Sequence, residues 1–172
     1  MENLQIAVRS QVLQFLLAGE TFAFDVLKAR EVLSMVKITP LPSSMDFLAG
    51  VINLRGSVIP VVDLRKKFAI VVASDTIDTS IIIVEVAVGD EITVIGAVVD
   101  SVKGVLLCEE KDLEAPPRFG MKMNTNLIQA IIKKDGAFII LLDVNKVFSE
   151  NELWLIQSQV PTDVDTVAPV EA

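Results

Sequence analysis

The sequence predicts an all-β fold, a small barrel or sandwich that occurs twice along one chain. Three observations lead there. Val, Ile, Leu and Phe gather in short runs bounded by Gly, Asp, Asn and Pro, the pattern of strands closed by turns. The 172 residues are 52% apolar with a mean hydropathy of +0.56, so strands must be covered on both faces or apolar surface must await partners. The second half of the chain also echoes the first.

The stretch "VLQFLLAG" opens the series as a strand over 11–18. It is not read as a signal peptide. Glu2 spoils a basic start, Gln14 interrupts the apolar run, and no small-residue cleavage site precedes Gly19. A second strand over 21–26 completes a hairpin. "SSMDFLAG" holds one short turn, and strands over 49–54 and 57–63 follow, joined by "NLRG". Pro60 lacks an amide donor, which predicts an edge or bulged strand. Further strands are expected over 80–88, 91–99, 102–108, 128–133 and 136–143. "KDGA" is a hairpin turn, because Asp-Gly suits type I′ geometry. Ser149 and Glu152 form a capping box, with Phe148 and Leu153 as its hydrophobic staple. A helix over 150–157 should therefore pack Leu153, Trp154 or Ile156 onto the strands. The closing "PTDVDTVAPVEA" is acidic, carries two prolines and reads as a disordered tail.

The duplication is collinear. "FDVLKAREVLSMVKITPLP" matches "VDSVKGVLLCEEKDLEAPP" at an offset of 75, which pairs Asp25 with Asp100 and Pro42 with Pro117. "GVINLRGSVIPVVDLRKKF" matches "AIIKKDGAFIILLDVNKVF" at an offset of 80, which pairs Gly56 with Gly136, Asp63 with Asp143 and Phe68 with Phe148. The second copy carries a longer loop near "RFGMKMNTN". The "LLAGETFAF" hairpin resembles "VAVGDEITVIGAVV". Two copies are too few for a solenoid, so a duplicated barrel or sandwich is expected.

Composition excludes several functions. A net charge of −8 argues against nucleic acid, which needs a basic face. The absence of histidine removes the commonest general base and the usual zinc ligands. One cysteine, Cys108, allows no internal disulfide and fits a reducing cytoplasm. No apolar run approaches the roughly 18 residues of a membrane span, so direct membrane insertion is not expected. No cofactor and no metal site are expected. Asp63, Asp100 and Asp143 are candidates for carboxylate chemistry, but their recurrence in both halves reads as turns or caps.

"GVINLRGSVIPVVDLR" also fails as a phosphate loop. Ser57, not lysine, follows Gly56, and the next residues are strand-like. "NLRG" aligns with "KKDG" and is a turn with Arg55 near its tip. The copy carries Asp135 instead, and Glu31 aligns with Leu106. The fold does not require either charge twice, so Glu31 and Arg55 are expected to pair with each other or meet a partner.

"AGVINLRGSVIPVVDLRKKF" resembles the most characteristic segment of the CheW family, the coupling proteins of bacterial chemotaxis. "FAFDVLKAREVLSM", "GAVVDSVKGVL" and "DGAFIILLDVNKVF" match the same pattern in order. The resemblance implies two five-stranded, SH3-like barrels on a shared apolar core, with a short C-terminal helix. It implies one domain over 11–156, with intertwined subdomains near 20–70 and 80–148, an extension at 1–10 and the tail at 157–172. It further implies a cytoplasmic scaffold without catalysis, recruited to membrane-associated arrays. There it would link chemoreceptor tips to the regulatory domain of a CheA-type histidine kinase. The partner-binding residues it implies are Glu31, Val32, Asn53, Arg55, Gly56 and Gly96. Ala29 departs from the larger aliphatic common at that place. A CheW-like module in a kinase pathway not controlling motility is the alternative. With Met1 at its start, the chain reads as complete.

Overall fold

The structure is a computed structural model that describes residues 9–42, 45–70, 74–116, 124–161 and 167–170. The apolar runs become strands in two sheets. The first has the order β8 (Ser101–Glu109), β1 (Arg9–Leu17), β2 (Glu20–Asp25), β11 (Ala137–Leu142), β10 (Ile128–Lys134) and β9 (Leu113–Glu114). The second has the order β3 (Ala29–Ser34), β6 (Ser80–Val88), β7 (Glu91–Val99), β5 (Ser57–Asp63) and β4 (Leu48–Leu54). Neighbours run antiparallel except β11 with β2 and β5 with β7.

The repeat is visible in these strand orders, with a twist that periodicity does not show. Strands β1 and β2 correspond to β6 and β7, β3 to β8, β4 to β10 and β5 to β11. Each copy's first hairpin has joined the sheet of the other copy. The expected subdomains at 20–70 and 80–148 are therefore corrected. One sheet lies within 29–99, and the other combines 9–25 with 101–142. The exchange follows from the short connectors Val26–Lys28 and Asp100, which pass straight from one sheet to the other.

Local details repeat at the offset of 80. A bulge falls between Leu48 and Gly50 in β4, and between Ile128 and Ala130 in β10. The Asp63 amide donates to the Phe47 carbonyl (2.8 Å), and the Asp143 amide to the Leu127 carbonyl (2.9 Å). Each aspartate then caps a one-turn helix, α1 (Leu64–Lys67) or α2 (Val144–Val147), by accepting from an amide two residues on at 3.0 Å. The repeated carboxylates are thus caps, as their recurrence predicts.

Three apolar clusters explain the composition. One fills the space between the sheets and holds Phe15, Phe24, Ile82, Val84, Leu142 and Phe148. Another lies within the second sheet around Ile52, Ile81 and Ile83. The third lies within the first sheet around Val12, Ile132 and Leu141. Alternate residues of β6 therefore face different clusters, so "SIIIVEV" is apolar without alternation. Cys108 is fully buried in the third cluster. Burial pushes its thiol pKa up, with a smaller push from Asp112. A disulfide reagent at pH 8 should leave Cys108 unmodified in the native chain and react promptly once denaturant is added. Rapid native labelling would contradict this burial.

The ends of β4 and β5 carry two further constraints. Gly50 has φ 147°, and a Cβ there would sit 2.1 Å from the Thr39 carbonyl oxygen. Thr39 and Val51 exchange both backbone hydrogen bonds along the outer edge of β4 (2.9 and 2.8 Å). Gly50→Ala must break that approach. A loss of roughly 2–3 kcal/mol in urea unfolding is expected, and an unchanged midpoint would contradict it. Pro60 was expected on an edge or at a bulge. It lies opposite Val51, whose amide and carbonyl both point away toward Thr39, so Pro60 owes β4 no donor. The ladder from β5 to β7 begins only at Val61. Pro60 thus sits in the half of an inner strand that is open on its β7 side.

Strand β3 and part of the tail depart from expectation, whereas the short turn and the capped helix are found where predicted. Strand β3 was not foreseen, because "AREVLS" is short of apolar residues. The "SSMDFLAG" turn falls at Asp46–Phe47, while Ser43 and Ser44 lie outside the described residues. Helix α3 runs Glu150–Gln159 and is capped by Ser149, and it buries Leu153 and Ile156. Trp154 points away and is 70% exposed. The tail is not disordered throughout: Val167 is 3% exposed, and Val170 packs on the second sheet's cluster.

Candidate partner-binding face

Arg55 and Gly56 occupy the two central positions of the β4–β5 turn, with φ of 50° and 85°. This is type I′ geometry, which matches the twist of the strands it joins. The copy at Asp135–Gly136 has φ of 51° and 79°. Asp tolerates a left-handed backbone, whereas Arg does so at a cost of about 1 kcal/mol. The turn gains nothing from arginine as such. Asn53 supports it from below, its Oδ1 accepting from the Gly56 amide at 3.0 Å.

The Arg55 guanidinium pairs with the Glu31 carboxylate on β3. Both are partly exposed, so the pair adds no more than about 1 kcal/mol to folding. What it does is hold the arginine in one direction. The β3–β6 ladder is irregular between Ala29 and Glu31. Such a bulge lets two consecutive side chains share a side, and Arg30 and Glu31 both line one cleft. Arg30 in turn pairs with Glu85 on β6. The cleft has a volume of about 640 Å³ and lies where β5 and β7 splay before their ladder begins at Val61. Pro60, Ile92 and Thr93 form its floor and wall, and Ile92 is exposed. The result is an apolar hollow rimmed by two ion pairs.

The residues implied by the sequence divide into three groups. Glu31 and Arg55 come together at the cleft mouth, Gly56 completes the turn behind Arg55, and Val32 is exposed on β3 away from the cleft lining. Asn53 is buried beneath the turn and is 6% exposed, so it positions the others. Gly96 is corrected. It is buried in β7, where a Cβ would lie 2.9 Å from Ile81 Cγ2 and 3.3 Å from Val61 Cγ2. It allows β5, β6 and β7 to close on one another, which is a packing role inside the sheet. Sequence reasoning missed Arg30, because a strand bulge has no motif. It also missed Leu27, which is 82% exposed on the connector between the sheets. An apolar residue inside an Asp-capped turn was the available signal.

The family model described as CheW-like domain matches residues 11–152. The chain belongs to the CheW-like domain family. Among CheW-like relatives, the chemotaxis protein CheW of Thermotoga maritima is 36% identical over 154 residues, covering 87% of this chain and 95% of that protein. The chemotaxis protein CheW of Klebsiella aerogenes is 30% identical over 151 residues, covering 88% and 89%. The crystal structure of the scaffolding protein TtCheW from Thermoanaerobacter tengcongensis superposes with a TM-score of 0.74 at 35% identity. That match covers 83% of this chain and 94% of the neighbour. The two-sheet architecture described above is the CheW-like fold.

Proposed function

We propose that the chain is a non-catalytic chemotaxis adaptor that couples the cytoplasmic tips of methyl-accepting chemoreceptors to a CheA-type histidine kinase. The observation that carries this reading is the Glu31–Arg55 pair. It is a directed charge on a strained turn, at the mouth of an apolar cleft, in a position the fold does not need filled that way. The names of the chemotaxis relatives and of the scaffolding neighbour support the same role. Asp63, Asp100 and Asp143 are engaged as helix caps or ion partners, which argues against a carboxylate acid–base pair.

The cleft with its charged rim receives the kinase's regulatory domain. Exposed Leu27, on the connector between sheets, marks the side that receives a receptor's helical hairpin. No helix among the described residues is long and apolar enough to cross a membrane. In this reading the chain reaches receptor arrays from the cytoplasm by docking. Signal passes as a change in which arrangement of partners is favoured, since a scaffold biases only states it binds differently. Weak contacts combine through multivalency.

The test is reconstitution. Kinase should sediment with receptor-bearing vesicles several-fold more when the chain is added. Equal sedimentation with and without it would overturn the coupling role.

A further inference from the structure

Strand β4 ends its sheet, and an open edge of this kind offers unpaired backbone groups to any extended peptide. This chain fills that edge itself. Thr39 pairs with Val51, and two residues further along the same edge Pro169 pairs with Asn53 in parallel register. The Val170 amide donates to the Asn53 carbonyl at 2.8 Å. The Asn53 side-chain amide donates to the Val167 carbonyl at 3.1 Å, while its oxygen holds the Gly56 amide at 3.0 Å. Val167 is buried, and Val170 packs on the cluster of Ile52, Leu54 and Ile59. One asparagine therefore joins the C-terminal segment to the turn that carries Arg55. The amide donates to one through its nitrogen and accepts from the other through its oxygen.

We propose that residues 167–170 are a built-in strand that closes the outer edge of β4, and that the kinase regulatory domain must displace it to use this face. The proposal rests on the adaptor reading and adds its regulation. The seated strand covers Asn53 and borders the Arg55–Gly56 turn, so a partner that pairs with β4 and a partner-free tail compete for one place. The tether makes that competition intramolecular. The affinity of the intact chain is lowered by the fraction of molecules whose edge is open. Recognition at this edge takes an extended segment with apolar side chains three residues apart, the spacing of buried Val167 and packed Val170.

The experiment uses the full chain and three readouts. Hydrogen exchange at the Val170 amide should be slow in the free protein and become fast when saturating kinase regulatory domain is added. The variant Val167→Asp, which places a carboxylate in a dry site, should release the strand while thermal unfolding stays cooperative. It should bind the kinase domain about tenfold more tightly than the parent chain. It should also bind a labelled peptide of residues 161–172 at least about tenfold more tightly than the intact chain does. Asn53→Asp, which keeps the acceptor for Gly56 and loses the donor to Val167, should behave likewise. Free exchange at Val170 in the intact chain overturns the proposal, as does a Val170 amide that stays protected in the kinase complex. So does kinase affinity unchanged by Val167→Asp. If the kinase domain binds no form of the chain, the adaptor reading fails. The exchange and peptide readouts then judge closure of the edge on their own.

Discussion

Arg65→Ala should lower unfolding free energy by about 3–5 kcal/mol, the usual cost of removing one partner from a buried ionic cluster. For a chain of this size that is a fall of roughly 10 °C in Tm. The Arg65 side chain is 4% exposed and reaches three carboxylates. It meets Asp63 through two nitrogens at 3.0 and 2.9 Å, Asp100 at 3.1 Å and Asp75 at 3.3 Å. Asp100 is the connector between β7 and β8, and it also accepts from the Ala18 amide in the β1–β2 turn at 2.7 Å. One guanidinium thus ties α1 of one sheet to the hairpin of the other.

The helix cap would survive the substitution, since the Asp63 contact to the residue-65 amide is a backbone one. The loss therefore does not come from uncapping α1. Arg65→Lys should recover only part of it, because an ammonium cannot fork between several carboxylates. The Asp63 hydrogen bond raises the Arg65 pKa further above an already high value, against the opposing effect of burial. A raised base stabilises the fold below its unfolded pKa and loses that effect only as pH passes its folded pKa. Both lie above the working range, so the Arg65 contribution should be flat from pH 5 to 9 in urea melts. A Tm within 2 °C of the parent for Arg65→Ala would refute the structural role assigned here.

Arg55→Glu should abolish co-sedimentation with receptor and kinase while leaving Tm nearly unchanged. The residue sits on an exposed turn, and its ion pair contributes little to folding. Reversal places a carboxylate opposite Glu31, which turns the rim of the cleft from paired to repulsive. A desolvated charge pair at an interface costs about 2–5 kcal/mol when one member is lost, a fall in affinity of some 30-fold or more. The double reversal Glu31→Arg with Arg55→Glu separates two causes. Recovery would mean the internal pair matters mainly as a brace, and no recovery would mean the arginine itself meets the partner. Assembly unchanged in the single variant would remove Arg55 from the binding face.

Much of the fold was legible in order along the chain. Gly and Asp at turn tips, apolar runs and the Ser149 cap marked nine strands and one helix near their observed bounds. Strand β3 escaped because its exposed side is built from ions, Arg30 and Glu31, and not from an apolar run. Gly50 and Gly96 escaped as packing residues, because what demands a missing Cβ is another strand: Thr39 for one, Ile81 for the other. The tail looked unstructured because its few valines are spaced among acids and prolines. Its order comes from an edge supplied by Asn53, more than a hundred residues earlier.

What the sequence determined by itself is local and periodic: two copies of a strand set, turns that reverse at Arg55 and Asp135, caps at Asp63 and Asp143, and the choice of apolar faces. These depend on each residue's backbone preference and its near neighbours. The tertiary structure alone decided that the first hairpin of each copy joins the other's sheet, that Glu31 meets Arg55, and that Arg65 gathers three acids. Those outcomes depend on which surfaces close against each other when strands buried on both sides seek cover, and that is a property of the whole packing.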